Sequence, residues 1–324
     1  MNDNNKKRWI GAGIAILLVI MSIFTGRKTK ETNANFRKQA MDKLGAMDEE
    51  VLWGSNPSSK IMVINVDGVI AKDQSNDYIV DKLKEAAEDN KVAGVILHVN
   101  SPGGSVYASE RVANEIKKVQ AADKPVYSVM QELAASGGYY ISAPCDRIYA
   151  SNETLTGSIG VIMGGYSLEG LFEKYGIKEQ NITSGKMKDA GSIGRDMTKE
   201  EKEYFQALID SSYDRFVKVV SEGRDMSEGT VKKLADGRVY DGAQALENGL
   251  VDKTGDLEIA AADMAEAYQL NDPVVVEKNF YLDYFNKFFP GLNSSMPKSD
   301  LQVLEEMMEK STMTPMYIYG GYYD

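Results

Sequence analysis

The chain has 324 residues and a formal net charge of −11, and this charge is unevenly distributed. Residues 1–38 carry eight Lys or Arg and only two acidic residues, so the remainder is strongly acidic. An acidic body lacks the basic surface that phosphate binding requires, which argues against a nucleic-acid partner. The basic N-terminal segment is better suited to the surface of a membrane.

Cysteine and histidine are nearly absent, and this excludes several kinds of site. Cys145 is the only cysteine, so the chain can form neither an internal disulfide nor a thiolate metal cluster. His98 is the only histidine, so two histidine ligands cannot come from one chain. It lies inside the apolar run Val95–Val99, which favours a strand residue over a catalytic base. We expect no metal and no cofactor.

The N-terminus has the pattern of a membrane anchor. An uncharged apolar run extends from Trp9 to Phe24 after three basic residues, and Thr25 and Gly26 can lengthen it. A spanning helix needs about 20 such residues. A cleaved signal peptide is the alternative, but no Ala-x-Ala site follows the run. We predict a single anchor over residues 9–26, with the N-terminus in the cytoplasm and the body outside.

The body alternates between strand and helix patterns. Apolar, β-branched runs predict buried strands at 61–70, 92–99, 125–130 and 147–150. Helix periodicity or helix-start signals occur at 78–87, 108–121, 136–142, 197–221 and 227–234. This alternation predicts a parallel sheet with right-handed crossover helices. In such folds the chemistry is commonly in the turns that follow strands.

Two turns after predicted strands are rich in glycine. Residues 100–105 follow the second strand, and residues 131–138 follow the third. Gly103 and Gly137 could offer backbone N–H groups to a developing oxyanion. Ser136 precedes Gly137 at the predicted start of a helix, where the helix dipole favours negative charge. From the residues alone, a serine nucleophile and an ordinary helix cap explain Ser136 equally well.

A serine nucleophile needs a base, and apart from His98 the candidates are lysines and carboxylates. A lysine becomes a base only where burial or nearby cations lower its pKa. Most lysines of the chain lie in charged helical segments, but Lys186 and Lys188 lie in a loop of small residues at 184–192. Composition does not choose between these two lysines, and it fits two surface charges equally well.

Five segments together resemble the bacterial signal peptide peptidase A family. They are Asn-Ser-Pro-Gly-Gly at 100–104, Ala-Ala-Ser-Gly-Gly-Tyr-Tyr-Ile-Ser at 134–142, Thr-Gly-Ser-Ile-Gly-Val at 156–161, Ser-Gly-Lys-Met-Lys-Asp-Ala-Gly-Ser at 184–192, and the segment 237–252. Their order and spacing are similar to those of the family across residues 60–270. The length of the chain resembles the single-repeat form of the family.

The resemblance implies a Clp-protease/crotonase-like α/β fold and a Ser/Lys dyad. By position, Ser136 is the nucleophile, Lys188 is the base, Gly103 supplies an oxyanion N–H, and Ser158 orients the lysine ammonium. Members of the family also form ring-like oligomers whose active sites face a protected bowl. The pair at 131–132, Gln-Glu, departs from the smaller pair usual in the family, which affects a pocket wall rather than the dyad.

We therefore predict a membrane-anchored serine endopeptidase that degrades cleaved signal peptides and other unfolded apolar peptides. It would be a single-pass protein of the cell membrane with an extracytoplasmic catalytic domain. Its partners would be those peptides, the lipid bilayer and further copies of itself in a ring. The predicted divisions are a cytoplasmic stub at 1–8, the anchor at 9–26, a linker at 27–59, a protease domain at 60–270 and a C-terminal extension at 271–324.

Two alternatives use the same fold. A crotonase-type acyl-CoA enzyme would stabilise a thioester oxyanion in the glycine turns, but the anchor and the Ala-Ser-Gly-Gly turn argue against it. A non-catalytic membrane scaffold would have lost its catalytic residues, whereas Ser136 and Lys188 are both present.

The C-terminal tail has an unusual composition. Residues 313–324 contain four tyrosines and two glycines with little charge, so they do not have the composition of a disordered tail. One interpretation is a closing strand packed on a neighbouring element. The other is an extended segment that reaches the active-site groove, as a substrate mimic or a self-processing site.

Overall fold

The computed structural model describes residues 49–278 and 314–319 of the chain. Within these ranges, nine strands form one sheet and two more form a small second sheet. The strands are β1 (Glu49–Trp53), β2 (Asn56–Asp67), β3 (Val92–Ser101), β4 (Gly103–Ser105), β5 (Val126–Ala135), β6 (Arg147–Ala150), β7 (Leu155–Gly157), β8 (Val239–Tyr240), β9 (Lys253–Thr254), β10 (Pro273–Lys278) and β11 (Met316–Ile318). The helices are α1 (Gln74–Glu88), α2 (Val106–Ala121), α3 (Gly137–Ser142), α4 (Glu169–Tyr175), α5 (Lys199–Gly223), α6 (Glu228–Leu234), α7 (Gly242–Glu247) and α8 (Leu257–Ala267).

The large sheet is mostly parallel. Its order is β1-β10-β2-β3-β5-β6-β9, and β7 and β8 extend it from β5. Strands β10, β2, β3, β5 and β6 are parallel, whereas β1 is an antiparallel edge strand. Apolar, β-branched strands suit burial on both faces, and α1 and α2 connect β2, β3 and β5 in turn. The predicted α/β sheet with crossover helices is confirmed.

Two hydrophobic layers cover the two faces of the sheet, because alternate side chains of each strand point to opposite faces. On one face, Met62 of β2 belongs to a buried cluster with Leu83 of α1 and Ile116 of α2. On the other face, Val63 of β2 belongs to a second cluster with Met264 of α8. The glycine-rich turns thus lie at the end of a strand layer that helices hold on both sides.

Strand β5 is longer than the sequence predicted. Its first half pairs with β6 through residues 127–129, and its second half pairs with β7 through residues 133–135. The hydrophobic pattern ended at Met130 because the second half is composed of small and polar residues and its partner is a different strand. This extension brings the chain directly to Ser136.

The sheet also includes segments that the sequence assigned to the linker and to the C-terminal extension. Strand β10 lies between β1 and β2. The buried Lys278 ammonium on β10 contacts Glu49 at 3.0 Å and Glu85 at 3.1 Å. A buried ammonium requires such partners, so this ion cluster ties β1 and α1 to β10.

The predicted stub at 1–8 and anchor at 9–26 lie outside the described residues, as does most of the predicted linker. Among the helices of residues 49–278, none combines the length and the apolar character needed to cross a bilayer.

We expect the pair of the largely buried Arg224 guanidinium and the exposed Asp252 carboxylate to stabilise the end of α5 against the sheet. Two nitrogens of the Arg224 guanidinium donate to the Asp252 carboxylate, and its Nε donates to the Gly249 carbonyl at 3.2 Å. Arg224→Ala should lower the free energy of unfolding by about 2 kcal/mol, because it removes the hydrogen bonds that the largely buried guanidinium donates to Asp252 and to the Gly249 carbonyl.

The matched control is Arg111→Ala. Arg111 pairs with Asp77 at the surface, at 2.7 Å, so its loss should cost less than about 1 kcal/mol. Urea unfolding measures both values, and equal losses in the two variants would contradict the prediction.

Candidate active site

Ser136 lies in a sharp turn between β5 and α3. Its backbone has a φ of 54° and a ψ of −112°, which non-glycine residues rarely adopt, and its side chain is buried. Its N–H donates to the Gly157 carbonyl at 2.8 Å, and its carbonyl accepts from the Tyr140 N–H at 2.8 Å. The Ser136 side chain makes no capping hydrogen bond to α3. An ordinary helix cap therefore does not explain this serine.

The two glycine-rich turns pack against each other at this point. Gly103 has a φ of +100°, and a Cβ placed on it would lie 2.5 Å from the Gly137 nitrogen. A Cβ placed on Gly137 would lie 3.0 Å from the Gly103 Cα and 3.0 Å from the Gly104 nitrogen. Only glycine allows this approach, so the backbone groups of Gly103 and Gly137 lie side by side. The Gly103 N–H donates to Ser101 Oγ at 3.1 Å.

Ser158 continues this arrangement on the neighbouring strand. Ala135 of β5 pairs with Gly157 of β7, so Ser158 follows β7 where Ser136 follows β5. Ser158 is buried, has a φ of +48°, and donates its N–H to the Arg238 carbonyl at 2.8 Å. Each such backbone conformation costs about 1–3 kcal/mol and is found most often at functional sites. The structure thus brings together Ser136, Gly137, Gly103 and Ser158.

Lys188 lies elsewhere. It is exposed, and it lines an open groove together with Glu179, Ile182 and Ser192. Ser136 does not line that groove. Lys186, the other lysine of the loop, forms an exposed ion pair with Glu200 at 2.6 Å. This contact accounts for Lys186 as a surface charge and leaves Lys188 as the lysine that faces the groove.

Helix α5 contacts the lysine loop and the serine turn at different points along its length. Near its N-terminus, Glu201 binds Arg195, which in turn binds the Asp189 carbonyl beside Lys188. Further along, Phe216 packs edge-on against Tyr140 of α3, with ring centroids 5.1 Å apart. Fifteen residues of helix rise by about 22 Å. Among the described residues, the contacts therefore connect the Lys188 loop to the first turn of α5 and the serine turn to its middle, and none joins Lys188 to Ser136.

His98 belongs to a different region. It lies on β3 and is half-buried, as the sequence predicted for a strand residue. It lines a cavity with Val129, Glu132 and Asp256 that does not include Ser136. Burial lowers the pKa of His98, and the carboxylate of Glu277 acts in the opposite direction. Its position gives it no role at the serine turn.

The C-terminal tail docks beside the serine turn. In antiparallel register, β11 pairs with β4, so that Tyr317 lies opposite Gly104 and Ile318 opposite Gly103. On its other side, Met316 exchanges backbone hydrogen bonds of 2.9 and 3.0 Å with Ile162. The tail therefore occupies a slot between two segments as an added strand, which agrees with the closing-strand interpretation and places that strand beside Gly103.

A buried pocket receives the side chain of Tyr317. Its ring stacks on Tyr140 at 4.8 Å and contacts Phe216 at 4.7 Å. Its hydroxyl donates to the Ser212 carbonyl at 2.8 Å. Sequence reasoning did not identify Phe216 and Ser212, because the only local signal was their place on the apolar side of the long helix. Tyr140 was part of the recognised motif, without a role.

We expect Gly103→Ala to release the tail. The added Cβ would overlap the Tyr317 carbonyl oxygen and crowd the Gly137 nitrogen, and the φ of +100° disfavours alanine. Amide hydrogen exchange at Tyr317 and Tyr319 should become faster, because their strand loses its partner. Gly170→Ala on α4 is the control, since a Cβ there meets nothing within 4 Å. Unchanged protection in Gly103→Ala would contradict the prediction.

Comparison with known proteins identifies the family. The family model described as Peptidase family S49 matches residues 118–271, and the Clp protease model matches residues 58–150. The chain is 39% identical to "Putative signal peptide peptidase SppA" of Enterococcus faecium, over 98% of this chain and 99% of that protein. It is 34% identical to Protease 4 of Haemophilus influenzae, over 79% of this chain and 42% of that protein.

A plant relative extends the comparison. The chain is 33% identical to the chloroplastic serine protease SPPA of Arabidopsis thaliana, over 74% of this chain and 36% of that protein. The full-length match and the family model agree with the glycine turns and the strained serine described above. The chain therefore belongs to peptidase family S49 and is a serine protease.

Proposed function

We propose that this protease is a membrane-associated endopeptidase that cleaves signal-peptide remnants and other unfolded apolar peptides. Ser136 is its nucleophile, and Lys188 of a second copy in a ring-like homo-oligomer is its base. The observation that carries the proposal is the turn at Ser136, where a buried serine with a positive φ caps no helix and adjoins two glycine backbones.

The serine turn supports covalent catalysis. Ser136 Oγ attacks the peptide carbonyl, the lysine amine accepts the serine proton, and the same amine later protonates the leaving nitrogen. The Gly137 N–H at the start of α3 and the Gly103 N–H beside it are the proposed oxyanion donors. Gly103 donates to Ser101 Oγ in this structure. Its N–H must turn from that hydroxyl to the oxyanion as the tetrahedral intermediate forms.

The position of Lys188 supports a base supplied by another copy. A lysine is a base only as the neutral amine, which desolvation favours and open solvent does not. Within one chain, Lys188 is exposed and a helix rise of about 22 Å separates its loop from the serine turn. A neighbouring copy that covers the Lys188 groove would bury the amine and bring it to a serine.

Apolar side chains near the Lys188 loop support the same contact. Helix α4 has no buried residue. Large apolar side chains on and around it are exposed, namely Tyr166, Leu171, Tyr175, Ile177 and Ile182. A cluster of this kind marks an interaction surface more often than a free surface. A second copy is the occupant that would also complete the catalytic site.

The docked tail supports the substrate class. A peptide in the slot between β4 and Ile162 must be extended, because both of its edges donate and accept strand hydrogen bonds. Folded proteins do not present such a segment, whereas signal-peptide remnants do. The predicted anchor at residues 9–26 would keep the enzyme at the membrane where those remnants are released.

We expect Ser136→Ala and Lys188→Ala each to abolish cleavage of an apolar peptide, while Lys186→Ala keeps most of the activity. Lys186 is the matched control because it is two residues away and forms an ion pair with Glu200.

Activity should rise with pH, since only the neutral amine accepts the serine proton. Peptide hydrolysis and labelling of Ser136 by a fluorophosphonate measure these effects. If Lys186→Ala were inactive and Lys188→Ala active, Lys186 would be the base instead. If the folded wild-type protein did not react with the fluorophosphonate, the result would favour an acyl-CoA enzyme.

Mixing the two inactive variants tests whether the dyad forms between copies. Oligomers that contain both Ser136→Ala and Lys188→Ala subunits have sites at which an intact serine meets an intact lysine of a neighbour. We expect peptide hydrolysis to return after the variants are mixed and reassembled. No recovery in oligomers shown to contain both subunits would place the two catalytic residues in one chain.

The tail should compete with substrate for the groove. Tyr317→Ala removes the ring held by Tyr140 and Phe216, so the apparent KM for a short peptide should fall. Tyr319→Ala is the control, since the variant keeps the backbone N–H of this residue, which bonds to the Pro102 carbonyl. Mass spectrometry of wild type and Ser136→Ala tests self-processing: a tail trimmed only in wild type supports it. Identical intact masses of wild type and Ser136→Ala after long incubation would rule out self-processing. An unchanged KM in Tyr317→Ala would rule out competition between the tail and the substrate.

A further inference from the structure

Arg195 connects the Lys188 loop to the first turn of α5. Its Nη1 and Nη2 donate to the two carboxylate oxygens of Glu201, at 2.8 and 2.5 Å. Its Nη2 also donates to the Asp189 carbonyl at 3.3 Å and lies 3.4 Å from the Asp189 carboxylate. Asp189 directly follows Lys188, so the guanidinium contacts the backbone one residue from the proposed base.

The anchor at the other end of this connection is rigid. The Glu201 side chain is 3% exposed, and it forms a capping box with Thr198 at the start of α5. Thr198 N–H donates to Glu201 Oε2 at 2.8 Å, and Glu201 N–H donates to Thr198 Oγ1 at 3.2 Å. The hydrogen bonds from Arg195 lower the pKa of Glu201 to about 2. The carboxylate is therefore ionised at any working pH and holds the guanidinium with a charged, two-point contact.

The start of α5 does not need Arg195 for its geometry. The capping box satisfies the helix N-terminus through Thr198 and Glu201 alone. The remaining contact of the guanidinium is with the loop, where Nη2 donates to the Asp189 carbonyl. By contrast, the other ion pair between this loop and α5, Lys186–Glu200, is exposed and contributes little rigidity.

We propose that Arg195 is a positioning residue for Lys188: clamped by Glu201, it fixes the backbone at Asp189 and so aims the lysine at the serine it serves. The inference rests on the proposed role of Lys188 as the base. A base must lie within hydrogen-bond reach of the proton that it accepts, so a mobile loop would lower the turnover rate without changing how the peptide binds.

The test compares Arg195→Gln with Arg195→Lys and with Arg111→Gln. Arg195→Gln should lower kcat on the order of 100-fold, the effect of a small misplacement of a reacting group. KM should stay unchanged, because the peptide slot between β4 and Ile162 is untouched. Amide exchange of residues 184–192 should become faster. Arg195→Lys keeps the positive charge but cannot make the two-point contact with Glu201, so its kcat should lie between those of Arg195→Gln and wild type. The control Arg111→Gln should have the wild-type kcat.

A double variant separates this inference from the proposed function. In the Lys188→Ala background, adding Arg195→Gln should leave hydrolysis at the background level of Lys188→Ala alone, because the residue that Arg195 positions is gone. An active Lys188→Ala would refute the base assignment itself. An inactive Lys188→Ala beside an Arg195→Gln with wild-type kcat would overturn only the positioning role. If Arg195→Gln does not fold, Arg195→Lys provides the test. A wild-type kcat in Arg195→Lys, together with faster amide exchange at residues 184–192, would overturn the inference.

Discussion

The pairing of the end of β5 with β7 is the constraint on which the site depends. Ala135 lies opposite Gly157, and the Ser136 N–H donates to the Gly157 carbonyl, so the chain must turn sharply at Ser136 to begin α3. Surrounding contacts over-determine this strained turn, which is the condition under which a strained residue persists. Because α3 begins there, the Gly137 nitrogen is brought against Gly103, and the proposed nucleophile, the proposed oxyanion donors and the tail slot are held by the same strands.

Helix α5 gives this frame its second half. Its middle forms a wall of the tail pocket through Ser212 and Phe216, and its N-terminus holds the Lys188 loop through Glu201 and Arg195. One helix therefore contacts the tail pocket and the loop of the proposed base at points about 22 Å apart along its axis. In the proposed oligomer, this helix would hold the base of one copy at a fixed distance from the tail pocket of the same copy.

The sequence predicted well whatever depended on local pattern. Apolar, β-branched runs predicted the buried strands, and Gly103, Ser136 and Gly137 could be singled out because glycine pairs after strands have few structural uses. The second half of β5 was missed because its residues lack a β-branched apolar pattern and its partner there is β7 rather than β6. The strands β1 and β10 were missed because β10 pairs with β1 and β2, which come from the opposite end of the described chain. The sequence did not show that the Lys188 loop and the serine turn contact different parts of α5, because spacing along the chain does not predict where a long helix packs.

The docked tail joins these observations in one physical argument. Because the tail belongs to the chain, its docking carries a smaller entropic cost than the binding of a free peptide, and a substrate must compete with it at the local concentration that the chain imposes. Two kinds of contact stabilise the docked tail: backbone hydrogen bonds on both of its edges and the fully buried aromatic side chain of Tyr317. A peptide that displaces it must supply the same extended backbone and a comparable apolar anchor. Under the proposed function, selectivity for unfolded apolar segments would follow from this competition as well as from the shape of the slot.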